Sequence, residues 1–490
     1  MAATLLVIQL TVGTFRLGSA PEAESASPEA TPPGEHVLLM PVGDSITQGS
    51  TGDHTWRYWL WQHLDAEADH TVEFVGPFED VANLDPDTIP EDDPGYVDTD
   101  FDREHASVWG ATAEVLAADV GAHVAEFEPD YLLVLAGVND LRSGQTPEET
   151  IGHIRDLVDT ARVARGDIQV VLGQLTPVWG TDDDEEFNAD IHEVNRALPR
   201  LANDLTGANS PVILADTAAD YDPDRDNWDA IHPNSRGQQR IAAAFADALA
   251  GQLELGAPYP RPLPEVEVGP RTAPEITADI ESQDTVTLSW DPVPGATDYQ
   301  VWQRREDPDP DELVRLPAEV VEPAGTTPSA TISGLFAGAT YTFYVDPLRG
   351  DDVGERSQRV EITMDEETPS GPAEVSLEDE VLDWSAVAEA SHYAVWRRAL
   401  DCEDADADAG GDAAEPGEPG CVPRDEEEPD PDRGWSMVAV VEEGTEWETG
   451  AAPGYEFAVR SHRDYVAGGF SESVARVDEA ADAGPDTGRE

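Results

Sequence analysis

The chain has 490 residues, enough for about three domains, and its apolar content of 39% excludes a wholly disordered protein. Its 103 acidic residues against 28 basic residues give a net charge of −75, and every basic residue is Arg because the sequence contains no Lys. A surface this acidic excludes binding to nucleic acids or anionic membranes, which depends on Lys and Arg contacts. We interpret the acidity as a solvated surface suited to high salt rather than as an acidic binding tail.

The N-terminal residues predict export. Residues 4–13 form an apolar run, and the small residues Gly18, Ser19 and Ala20 follow it, so residues 1–20 resemble a signal peptide cleaved after Ala20. A membrane span is excluded because it needs about 20 apolar residues. No basic residue precedes the run, and a stray apolar terminus is the alternative. Residues 21–35 are rich in Pro, Ala and Glu, as is typical of a linker.

Residues 36–255 alternate between strand-like and helix-like segments. The strand-like segments are near-continuous apolar runs, the pattern of strands covered on both faces, and they lie at 36–42, 71–76, 131–137, 168–175 and 211–216. Amphipathic stretches such as "WRYWLWQHL" separate them. This alternation predicts an α/β fold with a doubly wound parallel sheet. In such sheets the loops at the carboxyl ends of the strands build the ligand site.

Local sequence signals predict where two of the helices begin. Thr146, Pro147 and Glu149 form a capping box with Pro at the first helical position. Ser235 and Gln238 predict a second cap, for a helix that Gly251 can end.

Two stretches of this half of the chain fit neither pattern. The acid-rich stretch 77–104 matches no period and predicts a long surface loop. Residues 256–271 are rich in Pro and predict a linker to the second half of the chain.

After the second linker, short alternating strands occur in two similar copies, over residues 272–364 and 368–478. Trp290 is followed by Tyr299, and Trp384 is followed by Tyr393 at the same spacing. Strands of period two around a buried Trp predict all-β sandwiches, and both copies resemble fibronectin type III modules. The second copy carries an acidic insert at 401–433, and the acidic tail 479–490 has the composition of a disordered segment.

Cys402 and Cys421 are the chain's two cysteines, and both lie in the acidic insert. In an exported chain, two cysteines this close in sequence predict a disulfide. Acidic residues between them follow the spacing of an EF-hand calcium loop at Asp404, Asp406, Asp408, Asp412 and Glu415. We predict no metal site there, because the required glycine is replaced by Ala409 and repetitive acidic sequence produces such spacings readily.

Five residues together could perform nucleophilic acyl transfer, which needs a hydroxyl, a base and oxyanion donors. Ser45 supplies the hydroxyl in "GDSIT", directly after the first apolar run. His232 in "DAIHP" supplies the base, and Asp229 can orient its imidazole. The Gly110 N–H and the Asn139 side chain are the candidate donors. Taken singly, each has a structural alternative: a turn serine, a helix-capping aspartate or a loop-capping asparagine.

The four stretches together resemble the motif blocks of the SGNH hydrolases, also called the GDSL family. "GDSIT" matches the first block, Gly110 the second, "GVND" the third and "DAIHP" the fourth. Val138 stands where Thr is common, a change that removes no catalytic group. The resemblance implies a flavodoxin-like α/β/α fold and ester hydrolysis without metal or cofactor. It also implies a nucleophile at Ser45, a triad completed by Asp229 and His232, and an oxyanion hole formed by Ser45, Gly110 and Asn139.

The hypothesis from sequence is therefore a secreted serine esterase. Its catalytic stretches are similar to the branch of the family that deacetylates plant polysaccharides, so acetylated polysaccharide is the expected substrate. The fibronectin-like modules could anchor the chain to an insoluble glycan. A lipase-like acyl-ester hydrolase is one alternative. An adhesion protein with an inactive hydrolase domain is the other.

Asp44 and Trp109 are the candidates for direct contact with the substrate. The other aromatic residues considered, which have helical spacing and are expected to pack mostly on the core, are Trp56, Tyr58, Trp59 and Trp61.

Overall fold

The computed structural model of the protein describes residues 36–67, 70–84, 93–179, 184–317, 320–321, 327–402, 421–422, 429–450 and 454–475. The predicted signal peptide, the linker 21–35, the acidic positions 404–415 with EF-hand-like spacing and the tail 479–490 lie outside these residues. The chain divides into two compact units. The first comprises Met1–Leu84 and Pro94–Glu267, and the second comprises Asp85–Asp93 and Val268–Glu490.

The first unit is built on a parallel sheet. Its strands are β1 (His36–Gly43), β2 (Thr71–Phe74), β3 (Ala106–Ser107), β4 (Tyr131–Leu135), β5 (Gln169–Gly173) and β6 (Val212–Ala215). The order is β2-β1-β4-β5-β6, and all pairs are parallel. Every residue of β4 and β5 is buried, as their continuous apolar sequence predicts. The predicted parallel sheet is confirmed, and its five long strands follow the flavodoxin-like order.

The two-residue strand β3 was not predicted, because it is too short to show a period. It pairs with Val42 and Gly43 at the carboxyl end of β1, beyond the residues of β1 that pair with β2. It therefore brings the stretch that contains Gly110 next to the end of β1.

Eight helices belong to the described part of this unit. They are α1 (Ser45–Gln48), α2 (Thr55–Glu67), α3 (Ala113–Phe127), α4 (Val138–Arg142), α5 (Pro147–Ala164), α6 (Asp184–Leu205), α7 (Pro223–Asp226) and α8 (Ser235–Leu253). α2 packs on α8, whereas α5 packs on both α3 and α6. Right-handed crossovers place these two groups on opposite faces of the sheet, because the strand order reverses direction at β1. No helix among the described residues is long and apolar enough to cross a bilayer.

The predicted helix ends are partly right. The capping box of Thr146 and Glu149 is present at α5. At α8 the prediction was wrong: Asn234, rather than Ser235, caps the helix, because its side chain accepts hydrogen bonds from the N–H groups of the first turn. The helix also continues past Gly251 and ends at Leu253, where Glu254 adopts the left-handed conformation.

The stretch predicted as a surface loop, 77–104, packs on α2 in its described part. Val81, Tyr96 and Phe101 form an apolar cluster with Tyr58, and the rings of Tyr58 and Phe101 meet edge to face at 5.4 Å. On the same helix, Trp56 is fully buried and stacks on Phe245. The helical aromatic residues thus contribute to packing, as their spacing predicts.

The second unit consists of antiparallel strands. They are β7 (Ile276–Ser282), β8 (Thr285–Trp290), β9 (Asp298–Asp307), β10 (Val314–Arg315), β11 (Val320–Val321), β12 (Ser329–Ile332), β13 (Thr340–Arg349), β14 (Asp352–Val353), β15 (Val360–Thr363), β16 (Val375–Glu378), β17 (Val381–Trp384), β18 (His392–Ala399), β19 (Asp401–Cys402), β20 (Cys421–Val422), β21 (Ser436–Val441), β22 (Glu446–Glu448), β23 (Tyr455–Arg463), β24 (Val466–Phe470) and β25 (Val474–Ala475). A short 3₁₀ helix spans Pro431–Arg433.

These strands form two pairs of sheets, one pair for each sequence copy. β11-β12-β8-β7 and β10-β9-β13-β14 make the first pair, with β15 on β13; β16-β17-β22 and β21-β18-β23-β24 make the second, with β25 on β23. A separate ladder joins β19 to β20. The arrangement is that of two β-sandwiches.

The repeated Trp–Tyr spacing has the same structural basis in both sandwiches. Trp290 and Tyr299 pack at 5.2 Å and 63°, and Trp384 and Tyr393 pack at 5.4 Å and 63°. Each Tyr hydroxyl accepts a hydrogen bond from a main-chain N–H six residues before it. The spacing therefore identified the core of each copy correctly.

We predict that Cys402 and Cys421 form a disulfide. They are directly opposite each other in the β19–β20 ladder, and opposite residues of antiparallel strands have Cα separations of about 4.5–5.5 Å, within the range of disulfides. Thiol titration of the denatured, unreduced protein should find no free thiol, and two should appear after reduction. Two free thiols before reduction would contradict the prediction.

Candidate active site

Ser45 lies where the first strand of the sheet passes directly into a helix. β1 ends at Gly43, Asp44 caps the helix, and Ser45 is the first residue of α1. A side chain at Gly43 would overlap the main-chain oxygen of Leu135 on the neighbouring strand, so only glycine permits this turn. The geometry places the Ser45 hydroxyl at the carboxyl end of the sheet, with 5% of the residue exposed.

The structure joins Ser45 to His232 and Asp229 in one series of hydrogen bonds. His232 Nε2 lies 3.0 Å from Ser45 Oγ, and His232 Nδ1 lies 2.7 Å from Asp229 Oδ2. The other oxygen of Asp229 accepts the main-chain N–H groups of Ile231 (2.9 Å) and His232 (2.6 Å). These three residues, predicted from two separate motifs, therefore come together in space.

The charge of Asp229 determines which nitrogen of His232 faces the serine. Burial alone would raise the pKa of Asp229, but the hydrogen bond and charge of His232 and the two main-chain N–H groups outweigh it and hold that pKa below its ordinary value. An ionised carboxylate can only accept, so Nδ1 of His232 carries its proton toward Asp229. Nε2 is then the acceptor for the Ser45 hydroxyl.

The loop that carries Asp229 and His232 is fixed to α8. Asp226 is completely buried, pairs with Arg240 at 2.8 Å, and accepts the Asn234 N–H on its main-chain oxygen at 2.8 Å. Gly237 lies so close to this oxygen that a side chain there would overlap it. The glycine of "IHPNSRG" thus permits the helix to support the loop.

Two indole rings are nearly parallel to the imidazole of His232. The Trp109 ring lies 4.5 Å from it at 23°, and the Trp228 ring lies 5.6 Å from it at 19°. Trp109, proposed from sequence as a substrate contact, is therefore packed against the imidazole. Trp228 was missed by the sequence analysis, although its position directly before Asp229 could have identified it. Stacked rings restrict the orientation of the imidazole.

The candidate oxyanion donors lie on neighbouring loops. The N–H groups of Ser45 and Gly110 donate no hydrogen bond to any residue that the structure describes, so both are available to a ligand. Asn139 is the second residue of α4, and its amide donates to Ala111 O at 3.1 Å, one residue beyond Gly110. Asp140 accepts the Ala113 N–H at 2.7 Å. The "GVND" stretch therefore holds the Gly110 loop in place.

Asp44 has a different position from the one predicted. It is 1% exposed, and one of its oxygens caps α1 by accepting the Ile46 N–H at 3.0 Å. The prediction that Asp44 contacts the substrate directly is therefore wrong, because its carboxyl group is buried under the helix that it caps. The pKa of Asp44 is raised to about 7, mainly by burial and to a smaller extent by the charge of Asp140, while the Ile46 N–H and the charge of His232 oppose the shift.

Arg57 is a further residue that sequence analysis did not identify. Its guanidinium is completely buried and donates to the main-chain oxygens of Thr47 (2.9 Å) and Gln48 (3.0 Å) at the end of α1. It also donates to the Tyr96 hydroxyl and to Arg103 O, each at 2.7 Å. Arg57 therefore joins the helix of Ser45 to the loop 77–104. No motif marks such a residue, since its partners are mostly main-chain oxygens.

Comparison with known proteins agrees with this geometry. Residues 42–240 match the model of the GDSL-like Lipase/Acylhydrolase family. A multidomain esterase of Ruminococcus flavefaciens is 26% identical over 292 residues; the match covers 57% of this chain and 36% of that relative, so the chain spans about a third of the relative's length. Residues 42–240 therefore have the sequence features of a GDSL-like hydrolase domain.

Two solved structures are also similar to this chain. One is an acetyl esterase variant with an acetate ion, at 27% identity and a TM-score of 0.36. The other is a carbohydrate esterase of family 3 from Talaromyces cellulolyticus, at 27% identity and a TM-score of 0.35. Each match covers 43% of this chain and 94% of the other.

We predict that Asp44→Asn alters the pH dependence of stability. Burial keeps Asp44 protonated up to about pH 7 in the folded state, compared with an ordinary pKa of 3.8. The stability that its raised pKa contributes is present at about pH 4 and is lost as the pH rises to about 7. Asn can still cap α1 but does not ionise. The melting temperature of the variant, relative to the native chain, should therefore rise between pH 4 and pH 7 and then level off.

Circular dichroism melts at each pH unit from 4 to 8 measure this difference. Asp156→Asn, at an exposed position on α5, is the control and should give a flat difference. A flat difference for Asp44→Asn as well would contradict the prediction.

Proposed function

We propose that this chain is a secreted serine esterase that hydrolyses short acyl esters, above all acetyl esters, on polysaccharide. The observation that carries the catalytic part is the hydrogen-bonded series from Ser45 through His232 to Asp229, inside a GDSL hydrolase domain. The intact series argues against the alternative of an adhesion protein with an inactive hydrolase domain.

The proposed reaction has two halves. In the first, Ser45 Oγ attacks the ester carbonyl carbon while His232 Nε2 takes its proton, and Asp229 stabilises the imidazolium. The carbonyl oxygen becomes an oxyanion that accepts hydrogen bonds from the N–H groups of Ser45 and Gly110 and from the Asn139 amide. Collapse of this intermediate breaks the ester C–O bond, and His232 gives its proton to the departing alcohol.

In the second half, water attacks the acyl-enzyme. His232 removes a proton from the water, the same donors hold the second oxyanion, and the Ser45 oxygen leaves and regains its proton from His232. The products are a carboxylic acid and an alcohol. Every proton transfer in these steps uses His232, and no group beyond the chain and water takes part.

The proposed substrate follows from the surroundings of the site. Next to Gly110 lie Trp109, which is partly exposed, and Val108, which is 43% exposed. An apolar rim of this kind suits an alcohol with apolar ring faces, such as a sugar. The resemblance of "LMPVGDSITQG" and "IHPNSRG" to polysaccharide deacetylases supports the same substrate. The export part of the proposal rests on residues 1–20, and N-terminal sequencing of the exported protein tests it.

We predict that Ser45→Ala removes the hydrolysis of 4-nitrophenyl acetate, lowering kcat by a factor on the order of 10⁶, as loss of a triad nucleophile does. Asn139→Ala should lower kcat by about 10²–10³, the usual effect of one oxyanion donor. Ser282→Ala, at an exposed serine of the second unit, is the matched control. Substantial activity in a folded Ser45→Ala protein would refute the mechanism.

We predict a preference for acetyl esters. Initial rates on 4-nitrophenyl esters from C2 to C12 should be highest at C2, and acetylated xylan should release acetate. An optimum at C8 or longer without acetate release would instead identify the lipase-like alternative. Rates measured in parallel with Ser45→Ala exclude hydrolysis by contaminants.

A further inference from the structure

The second unit holds a cavity at the junction of its two sandwiches. Its volume is about 380 Å³, and it is lined by Phe336, Ser391, His392, Val440, Glu442, Asp464 and Tyr465. Phe336 lies on the loop between β12 and β13 of the first sandwich. Asp464 and Tyr465 form the turn between β23 and β24 of the second sandwich. Both sandwiches therefore contribute residues to the cavity.

Three of the seven large apolar side chains that are exposed among the described residues from 268 onward line the cavity. Phe336 is 43% exposed and Tyr465 is 37% exposed, and among the described residues from 268 onward these are the two aromatic side chains left open to this extent. Val440, at 51%, lies with them. Exposed apolar groups that cluster rather than scatter mark binding sites.

The two rings are held in place before any ligand binds. They meet edge to face at 5.9 Å and 86°, and the Arg305 guanidinium lies 5.5 Å from the centre of each. The turn is fixed by hydrogen bonds from the Ala337 N–H to Asp464 Oδ2 (2.8 Å) and from the Tyr465 N–H to Ala337 O (3.2 Å). A site ordered in this way loses little entropy on binding.

Hydrogen-bonding groups surround the rings. The Ser391 hydroxyl accepts the Asp464 N–H at 2.7 Å, which places both residues on one side of the cavity. Glu442 is exposed, and its carboxylate makes no hydrogen bond within the described chain. Carboxylate oxygens accept hydrogen bonds strongly from hydroxyl groups. The two carboxylates also exclude anionic ligands, in keeping with the net charge of −75.

We propose that this cavity binds a neutral polysaccharide chain. A sugar ring has an apolar face of C–H groups, which can stack on Phe336 and Tyr465. Its hydroxyl groups can donate hydrogen bonds to the carboxylates of Glu442 and Asp464. The choice of polysaccharide over another neutral ligand rests on the proposed function, since the same polymer would carry the esters. The second unit then serves as a polymer-binding element.

The test is depletion of the full-length protein from solution by insoluble xylan, cellulose and, as a cationic comparison, chitosan. Phe336→Ala with Tyr465→Ala should weaken binding on the order of tenfold, because two aromatic stacking surfaces are lost. Glu442→Ala should weaken it several-fold and should not affect folding, because its side chain has no partner in the described chain. The control is Val353→Ala, since Val353 is as exposed as Val440 (51%) but lies outside the cavity. This variant should bind as the native chain does.

The outcomes separate this proposal from the proposed esterase. Unchanged binding in both the double variant and Glu442→Ala would overturn the polysaccharide site, as would binding only to cationic chitosan or to none of the polymers. Ser45→Ala should bind polymer normally, and the ring variants should hydrolyse 4-nitrophenyl acetate normally. A native chain that binds polymer but does not hydrolyse esters would refute only the esterase function. A native chain that hydrolyses esters but does not bind polymer would refute only this site.

Discussion

The candidate active site depends on one hydrogen bond, between Ser45 Oγ and His232 Nε2, that joins the beginning of the first unit to its last loop. The two residues are 187 positions apart in sequence and 3.0 Å apart in space. A contact this distant in the chain can form only if both ends are held independently. The sheet brings them to one edge, because parallel strands place the loops that follow them together.

Buried charges provide much of that support. Arg57 fixes the end of α1, and the pair of Asp226 and Arg240 fixes the loop of His232. A buried charge is costly unless it is paired or hydrogen-bonded, and Arg57 is stabilised by four hydrogen bonds. The planar, branched guanidinium can serve several oxygens at once. In a chain without Lys, the scarce cations are thus used to position α1 and the loop of His232.

The residues that sequence analysis found and those it missed differ in a physical way. Continuous apolar runs identified β4 and β5 because burial on both faces leaves a direct trace in composition. Ser45 and His232 were found because the motif blocks that contain them restrict residue type. Arg57 and β3 left no such trace, since their roles come from main-chain contacts that many residue types could make. Asn234 was missed as a cap because Ser235, next to it, is an equally good candidate.

In the proposed function, the two units divide the tasks of a polymer esterase according to the precision that each task needs. Acyl transfer depends on atoms placed to within a fraction of an ångström, and the first unit supplies this with buried charges and close glycine contacts. Holding a long polymer requires only that some segment be bound near the catalyst. Because a tethered site raises the local concentration of polymer over a wide range of distances, a weak aromatic site in the second unit is sufficient. The rings of Phe336 and Tyr465, exposed at the junction of the two sandwiches, meet that smaller demand.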